Sequence, residues 1–373
     1  MVKDKTRGPQ TRPDVRRDGD PIRFGLLGAG LIAPFHAKAI QATPGCEVAG
    51  ITDLNAELAG KRAGEFDCKA FATYDQMLAD RGIDVINVLL PNHLHCQPTL
   101  QAAAAGKHVL VEKPPAMKLS ELDQMISACS QAGVKLGVVL NVRCRKAIQA
   151  IRTAIGQGRF GRLLAGDAHM KWWRGNDYYG MAAWRSSQRA GSGVTVAQAF
   201  HYLDLLQYLM GRPASVQAKM NNIAHPGVKL EDTTRAFIEY QSGAVGVVSA
   251  STALWPGTDI RIEINGENGT AIMTGERLST WKFRDERPED EQLRQLGSSA
   301  KATGAGGAAD FDFAEHQTVI AGMARAVREN VDPLITAPSA RVTVEMMLAL
   351  YQSAKTGQAV RLPLADDDDS IWQ

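Results

Sequence analysis

Two side chains in this sequence are placed for acid and base chemistry. Lys113 lies in Glu112-Lys113-Pro114, at the end of the apolar run HVLVEKP, and His201 follows a glycine-rich turn in an apolar helical segment. An ammonium group can hydrogen-bond a reacting oxygen and stabilise negative charge on it. An imidazole can accept the proton of a hydroxyl group at neutral pH. Two plainer interpretations stay open, a lysine in a surface turn and a histidine that only packs.

A glycine-rich turn predicts where a dinucleotide would bind. Gly28-Ala29-Gly30-Leu31-Ile32-Ala33 fits G-x-G-x-x-(G/A), with an apolar strand before it and a helical pattern after it. Gly28 permits the tight turn, and Gly30 has no Cβ to block a pyrophosphate. The amides at the helix start, around Leu31 and Ile32, would face the phosphates. The motif alone is weak, because glycines also mark ordinary turns.

Asp53 strengthens the dinucleotide interpretation. It ends the second predicted strand, 20 residues after Ala33, where a carboxylate can accept hydrogen bonds from ribose hydroxyls. Its charge would repel a 2′-phosphate, which favours NAD over NADP, although Lys61 and Arg62 could pair with such a phosphate. The alternative is that Asp53 caps the next helix.

Two predicted domains would hold these residues in place. Residues 21–142 alternate strand and helix patterns, which predicts an α/β Rossmann domain with a parallel, doubly wound sheet. Residues 143–362 predict an α+β domain with a large, mainly antiparallel, open-faced sheet, including a hairpin that turns at Asn268-Gly269. Within it, 285–310 reads as a long loop, either a connection or a lid. Residues 1–20 and 363–373 read as a disordered tail and a solvated acidic tail.

Three segments together carry a family resemblance. The strand-end E-K-P, the earlier PNHLH at residues 91–95, and DYYGMAAWRSSQRAGSGVTVAQAFHYLDLLQYLMG resemble the Gfo/Idh/MocA oxidoreductases over about residues 22–362. The resemblance implies that Lys113 lies between nicotinamide and substrate and that His201 shuttles the proton. It also implies that Asn92, His95 and Glu112 lie near the cofactor. Taken alone, PNHLH could equally be a helix cap and its first turn.

The predicted substrate contacts surround that centre. Arg143 ends a strand and points to the same cleft by the strand-end rule. Helical spacing would place Gln198 and Asp204 one turn before and after His201. Many relatives carry Asp or Asn where this chain has Ala197, so we expect Gln198 or Asp204 to orient the imidazole, or the substrate to be held differently. Aromatic and cationic side chains that suit a sugar ring, or a buried core, are Tyr178, Trp184 and Arg185.

The bulk properties exclude several classes of protein. The 42 basic and 40 acidic residues are dispersed and leave a net charge of +2, so a nucleic-acid partner is not expected. The five cysteines never form C-x-x-C, which disfavours disulfides and zinc sites and favours the cytoplasm; we expect no metal. No apolar run approaches the roughly 20 residues that span a bilayer.

The sequence therefore predicts an NAD(P)-dependent enzyme that transfers hydride between nicotinamide and a hydroxyl carbon of a sugar, sugar derivative or cyclitol. Two rivals are an NAD-recycling enzyme that cleaves glycosides by oxidation and elimination, and a non-catalytic sugar or NAD sensor. The one-sided sheet of the second unit predicts a homo-oligomer, a dimer or tetramer, formed through that sheet.

Overall fold

The computed structural model describes residues 19–296, 312–365 and 369–372. The predicted disordered tail, apart from its last two residues, lies outside the described part. So do residues 297–310 of the predicted long loop and residues 366–368 and 373 of the predicted acidic tail.

The first sheet has six parallel strands in the order β3-β2-β1-β4-β5-β6. Its two central strands are apolar except at Arg23 and Asn87 and are buried on both faces, as a sheet covered by helices on both sides requires. The strands are β1 Ile22–Leu27, β2 Cys46–Thr52, β3 Lys69–Ala70, β4 Val85–Val88, β5 His108–Val111 and β6 Leu136–Val138. The covering helices are α1 Ala33–Gln41, α2 Ala56–Glu65, α3 Tyr74–Ala79, α4 Cys96–Ala104 and α5 Leu119–Gln131. The predicted Rossmann architecture is confirmed.

The second sheet has eight strands in the order β13-β12-β11-β7-β10-β9-β8-β14. Only β7 and β10 run parallel, so the prediction of a mainly antiparallel sheet is confirmed. Its strands are β7 Leu163–Lys171, β8 Pro213–Asn221, β9 Thr233–Tyr240, β10 Val245–Ser251, β11 Arg261–Gly266, β12 Gly269–Thr274, β13 Arg277–Phe283 and β14 Val360–Arg361. From Thr234 to Tyr240 in β9, buried and exposed residues alternate, so the described residues leave one face of the sheet uncovered.

Helices connect and cover the two sheets. They are α6 Lys146–Gly156, α7 Asn176–Gly180, α8 Val194–Ala197, α9 Phe200–Met210, α10 Asp290–Arg294, α11 Ala314–Glu329 and α12 Ala337–Thr356. Late in the chain, α11 packs on α1, and α12 packs on both α5 and β8. Just before α12, the amide of Val138 donates to the carbonyl of Ile335 at 3.1 Å. The two sheets are therefore joined by the same late segment.

Two local predictions are wrong. Gly266 pairs with Gly269, so the β11–β12 hairpin turns at residues 267 and 268, not at Asn268-Gly269. The segment 285–310 also contains a helix, α10, where we expected no element. Asp290 begins it and accepts hydrogen bonds from Arg159 and from the Trp281 indole, each at 2.7 Å. These long-range contacts, which no local pattern reveals, order that part of the segment.

The end of the chain is not wholly solvated, contrary to the predicted acidic tail. Residues 369–372 form one turn of 3-10 helix, and Trp372 is buried. Its indole N–H donates to the carbonyl of Met117 at 2.9 Å, and its ring packs edge-on against Tyr351 at 5.0 Å. The tail is thus anchored to Met117, which lies four residues after Lys113 in the sequence.

Two other sequence predictions meet the structure here. All five cysteines are free thiols. Among the described residues, no helix has both the length and the apolar character needed to cross a membrane.

We expect Trp372→Ala to lower the free energy of unfolding by about 3 kcal/mol, because it empties a buried ring site and removes a buried hydrogen bond. Trp255, 77% exposed, gives a matched control whose replacement by Ala should cost less than about 1 kcal/mol. Denaturant unfolding followed by circular dichroism measures both changes. Equal losses of unfolding free energy in the two variants would show that the anchoring of Trp372 contributes nothing to stability.

Candidate active site

The glycine turn has the shape needed to receive a dinucleotide. Gly28 has a positive φ of 111°, and a Cβ there would lie 2.5 Å from the carbonyl oxygen of Leu89. Only glycine fits that position without strain. Gly30 is exposed, and a Cβ on it would meet nothing within 4 Å. The space above Gly30 is open to a ligand, and α1 starts just beyond it at Ala33.

Asp53 is fixed beside this turn. Its carboxylate accepts from the amide of Ala29 and from the amide of Asn55, each at 2.8 Å. Each carboxylate oxygen keeps a further lone pair that ribose hydroxyls can use. Asn55 caps α2, because its side chain accepts from the amide of Leu58. The capping role considered for Asp53 is therefore filled by Asn55. Arg62, named above for a 2′-phosphate, is engaged by Glu65 at 2.5 Å.

The PNHLH segment is held by side chains that point into the protein. The Asn92 amide donates to the carbonyl of Ala190 at 3.0 Å. His95 is fully buried, and its two ring nitrogens each lie 2.8 Å from a carbonyl oxygen, those of Pro114 and Leu90. No polar atom of His95 is left for a cofactor. The structure therefore places His95 behind the predicted cleft, where it ties the ends of β4 and β5 together.

Lys113 extends from the end of β5 to the second unit. Its Nζ donates to the carbonyl oxygen of Ala197 at 2.7 Å. The predicted single helix around this point is wrong, because α8 ends at Ala197 and α9 starts at Phe200. The amide of Ala199 donates to the carbonyl oxygen of Val194, five residues earlier, at 2.8 Å. This turn is wider than a turn of α-helix. At Ala197, where the family resemblance led us to expect a polar side chain, this chain offers Lys113 a backbone oxygen.

Glu112 supports Lys113 from behind. One carboxylate oxygen accepts from the Lys113 amide at 3.0 Å, and the other lies 2.9 Å from Nε2 of buried His36. The Asn87 amide nitrogen lies 3.0 Å from Nδ1 of the same ring. With that amide donating to Nδ1, the proton of neutral His36 lies on Nε2 and points at Glu112. A chain of three hydrogen bonds thus fixes the backbone at Lys113.

A second histidine reaches this cluster from α11. His316 packs edge-on against His36, with ring centroids 5.1 Å apart. Ligand-capable atoms of His36, Glu112 and His316 lie within 4.8 Å of one another, a donor set that metal sites also use. In this structure His36 and Glu112 hydrogen-bond each other, which gives the pair a role in positioning Lys113.

Burial and neighbouring charges shift the pKa values at the centre. Burial lowers the pKa of Lys113, Glu112 opposes that shift, and Arg185 adds to it. Burial alone would raise the pKa of Glu112, but His36 and the nearby positive charges lower it to about 2. Burial, and then Lys113, lower the pKa of His201 well below its usual value. At neutral pH, Glu112 is therefore charged and His201 is neutral.

His201 lies near Lys113 but lacks a protein partner at one nitrogen. Its Nδ1 is buried and forms no hydrogen bond with the described residues. Gln198 instead donates to the Tyr178 hydroxyl at 2.9 Å. Asp204 accepts from Arg143 and Thr343. Neither of the two residues expected to orient the imidazole does so here.

Arg143 and Asp204 form a buried ion pair. The guanidinium makes two parallel hydrogen bonds to the carboxylate, each of 2.6 Å, and also donates to Ser339 at 3.1 Å. Thr343 donates to the same carboxylate at 2.7 Å. The pair connects the segment after β6 with α9 and α12. Its polar atoms bind protein groups, so the structure gives it a framework role in place of the predicted substrate contact.

The remaining predicted substrate residues form one partly exposed cluster. The Arg185 guanidinium lies 4.6 Å from the ring centre of Tyr178 and 4.8 Å from that of Trp184. Gln198 joins the cluster through Tyr178, and its buried Oε1 has no hydrogen-bond partner in the part of the chain that the structure describes. This cluster combines aromatic faces with free hydrogen-bonding capacity, as carbohydrate sites do.

Sequence reasoning missed the support behind Lys113. His36 follows the glycine motif at helical spacing, one turn past Ala33, so its position on the inner face of α1 was readable from the sequence. His316 lies about 200 residues beyond Glu112, and nothing local connects them. Asn87 sits inside an apolar strand, where a lone polar residue is a signal that it has a buried partner.

Profiles of two adjoining domains match the chain. The one described as the oxidoreductase family with an NAD-binding Rossmann fold matches residues 22–140, and the GFO/IDH/MocA C-terminal domain matches 148–272. The chain belongs to the GFO/IDH/MocA family. The resemblance noted from E-K-P and the glycine turn is thereby confirmed, and so is the assignment to oxidoreductases that bind NAD.

Two relatives cover nearly the whole chain, and a third covers about two thirds of it. The WlbA dehydrogenase of Bordetella pertussis, solved with NADH and UDP-GlcNAcA, is 31% identical, with a TM-score of 0.85 over 92% of this chain and 99% of that one. The 1,5-anhydro-D-fructose reductase of Ensifer adhaerens is 29% identical over 91% of this chain and 98% of its own length. Inositol 2-dehydrogenase of Rhizobium meliloti is 27% identical over 69% of this chain and 76% of its own length.

We expect Gly30→Ala to keep the fold but weaken NAD binding at least tenfold, because its Cβ enters only the open space where a pyrophosphate would lie. Gly60→Ala on α2, which also meets no atom, is the matched control and should bind NAD normally. Calorimetric titration with NAD gives the affinities, and the melting temperature checks the fold. Unchanged affinity in Gly30→Ala would place the dinucleotide elsewhere.

Proposed function

We propose that this protein is an NAD-dependent dehydrogenase or reductase acting on a hydroxyl carbon of a sugar, sugar derivative or cyclitol. The observation that carries the proposal is the convergence of Lys113, from the end of β5, with the segment that bears His201. That strand end is where parallel α/β sheets bind their ligands.

Lys113 is proposed to hold the reacting oxygen. Its Nζ has three donors, of which one is used on the Ala197 carbonyl. The others can bind the substrate hydroxyl and stabilise negative charge on its oxygen as the proton leaves. Glu112 and His36 keep the backbone of this lysine in one position, so little reorganisation is needed when substrate binds.

His201 is proposed to take the hydroxyl proton. It is neutral at pH 7, because burial and Lys113 lower its pKa, and a neutral imidazole has a nitrogen free to accept. The unpartnered Nδ1 marks unused hydrogen-bonding capacity beside Lys113. In the reductive direction, the same nitrogen would return the proton to the product oxygen.

The cofactor would lie along the carboxyl edge of the first sheet. Gly28, Gly30 and the start of α1 would hold the pyrophosphate, and Asp53 the adenosine ribose. The fit rests on the open space above Gly30 and on the spare lone pairs of Asp53. When bound, NAD supplies the acceptor or donor of hydride.

The sugar would lie against the cluster of Tyr178, Trp184, Arg185 and Gln198. Aromatic faces bind the apolar faces of sugar rings, and the free amide oxygen of Gln198 can accept from a hydroxyl. The relatives named for anhydrofructose and inositol support a polyhydroxylated substrate. They favour simple oxidation or reduction over glycoside cleavage or sensing.

We further propose that two copies of the chain associate through the uncovered face of the second sheet. Phe237, Val245 and Val247 are 43%, 40% and 38% exposed on neighbouring strands. Apolar side chains grouped on an open sheet are typical of a surface that another protein covers. A second copy would bury them by symmetry, as most homo-oligomers do.

A reducing compartment such as the cytoplasm is proposed as the location. Five free thiols support it, since cysteines of oxidising compartments are usually paired. Burial raises the pKa of Cys129 to about 11, which keeps that thiol protonated and unreactive.

We expect Lys113→Ala to lower kcat/KM by about 10²-fold to 10³-fold, through loss of a charged donor at the reacting oxygen. His201→Ala should lower it by a factor of about 10² to 10⁴, through loss of the proton acceptor. Nicotinamide absorbance with sugars, sugar acids and cyclitols measures turnover.

Lys38→Ala and His169→Ala, which lie away from the centre, are the matched controls and should retain full rates. Near-normal rates in Lys113→Ala would overturn its assigned role. Turnover without net NADH formation would instead favour the NAD-recycling cleavage reaction.

The pH profile tests the role of Glu112. Glu112→Gln keeps an oxygen for the Lys113 amide but removes the negative charge that raises the pKa of Lys113. That pKa should therefore fall by about one unit or more. Because the ammonium is the active form, the alkaline limb of kcat/KM should move to lower pH. The exposed Glu47→Gln is the control, and an unmoved limb in Glu112→Gln would contradict the coupling.

A further inference from the structure

A cavity of about 640 Å³ is lined partly by residues that follow Lys113 and Arg185 closely in sequence. Its volume falls within the usual range for ligand pockets. Five stretches of the chain line it: the segment after β4, the segment after β5, the loop that follows Arg185, the position of Lys229 and the position of Trp372.

Several polar groups of this cavity lack partners. Arg189 and Lys229 are exposed on its rim and form no ion pair with the described residues. Nδ1 of His93 is buried in its wall and has no hydrogen-bond partner there. Lys118 and Glu121 also line the cavity, and their opposite charges offset each other. The remaining positive charge of Arg189 and Lys229, with the unsatisfied imidazole of His93, is suited to an anion with several oxygens.

The cavity and the Lys113 centre are built from the same two stretches of the chain, the one that follows β5 and the one that contains Arg185. Met117 lies four residues past Lys113, and Arg189 lies four residues past Arg185. Arg185 is close enough to lower the pKa of Lys113, and Arg189 close enough to lower that of His93. A substrate whose sugar lies at Lys113 can therefore extend a second group into the cavity.

We propose that this cavity binds the phosphate-bearing part of an activated sugar substrate, with Arg189 and Lys229 as its cationic contacts and His93 as a hydrogen-bonding wall. This inference rests on the proposed function, because it assumes that the sugar itself is held at Lys113. It assigns the substrate to sugars carrying a phosphate or nucleoside diphosphate, and it makes Arg189 and Lys229 specificity residues with no part in the chemistry.

The test compares an activated sugar with its unphosphorylated counterpart. The probes are UDP-GlcNAcA and free N-acetylglucosaminuronic acid, assayed by nicotinamide absorbance with the wild type and with Arg189→Ala/Lys229→Ala. The double variant should raise KM for the activated sugar about tenfold, leave kcat unchanged, and leave the unphosphorylated sugar unaffected. Lys38→Ala/Arg212→Ala removes the same charge from exposed sites elsewhere and should change neither constant.

Inorganic phosphate and UDP distinguish a substrate subsite from a site for a free anion. Both should inhibit competitively against the activated sugar, and the double variant should be less sensitive to them. Inhibition that the activated sugar cannot relieve would overturn the inference in favour of a separate anion site. An unchanged KM in the double variant would also overturn it.

If the proposed function itself were wrong, the same experiments would give a different set of results. In that case no sugar would be turned over by the wild type, while calorimetry would still detect UDP binding that the double variant loses. Turnover of unphosphorylated sugars alone, with no UDP binding, would leave the proposed function standing and remove only the inference drawn from the cavity.

Discussion

The arrangement of the site depends on keeping a lysine charge in a buried position between two sheets. An isolated buried ammonium is costly, and the protein reduces that cost in two ways. The Glu112 carboxylate lies behind Lys113, and the carbonyl of Ala197 accepts from its Nζ at 2.7 Å. The Glu112 carboxylate belongs to the first domain and the Ala197 carbonyl to the second. The contacts that stabilise the Lys113 charge therefore also set the distance between the two domains.

The rest of the framework limits how these two groups can move. His95 lies between the ends of β4 and β5, and its neutral ring donates a hydrogen bond to one of the two backbone carbonyls beside it. The Arg143–Asp204 pair ties the exit of the first sheet to α9 and α12. Buried, hydrogen-bonded ion pairs fix geometry more than they add stability. The polar residues that look like substrate ligands from the sequence thus split into those that face the cleft and those that hold its walls.

Local patterns were enough to predict the Rossmann sheet, the glycine turn and the strand-end position of Lys113. Each is specified by a short window, as with Gly28, whose φ excludes other residues. The interruption between α8 and α9 was not predictable, since the segment has uniform helical spacing and the wide turn at Ala199 is set by tertiary contacts. The ion pair of Arg143 and the meeting of His36 with His316 likewise join residues far apart in sequence.

The anchoring of Trp372 has a consequence for the order in which the protein can form. Met117 lies within the first third of the sequence, yet the indole that donates to its carbonyl comes about 250 residues later, and the cavity that both residues line also needs the loop after Arg185 and Lys229. Synthesis proceeds from the N-terminus, and domains begin to fold as they emerge. The Rossmann sheet can therefore assemble on the ribosome while this cavity is still incomplete, so a nascent chain would acquire a nucleotide fold well before it acquires a finished substrate pocket.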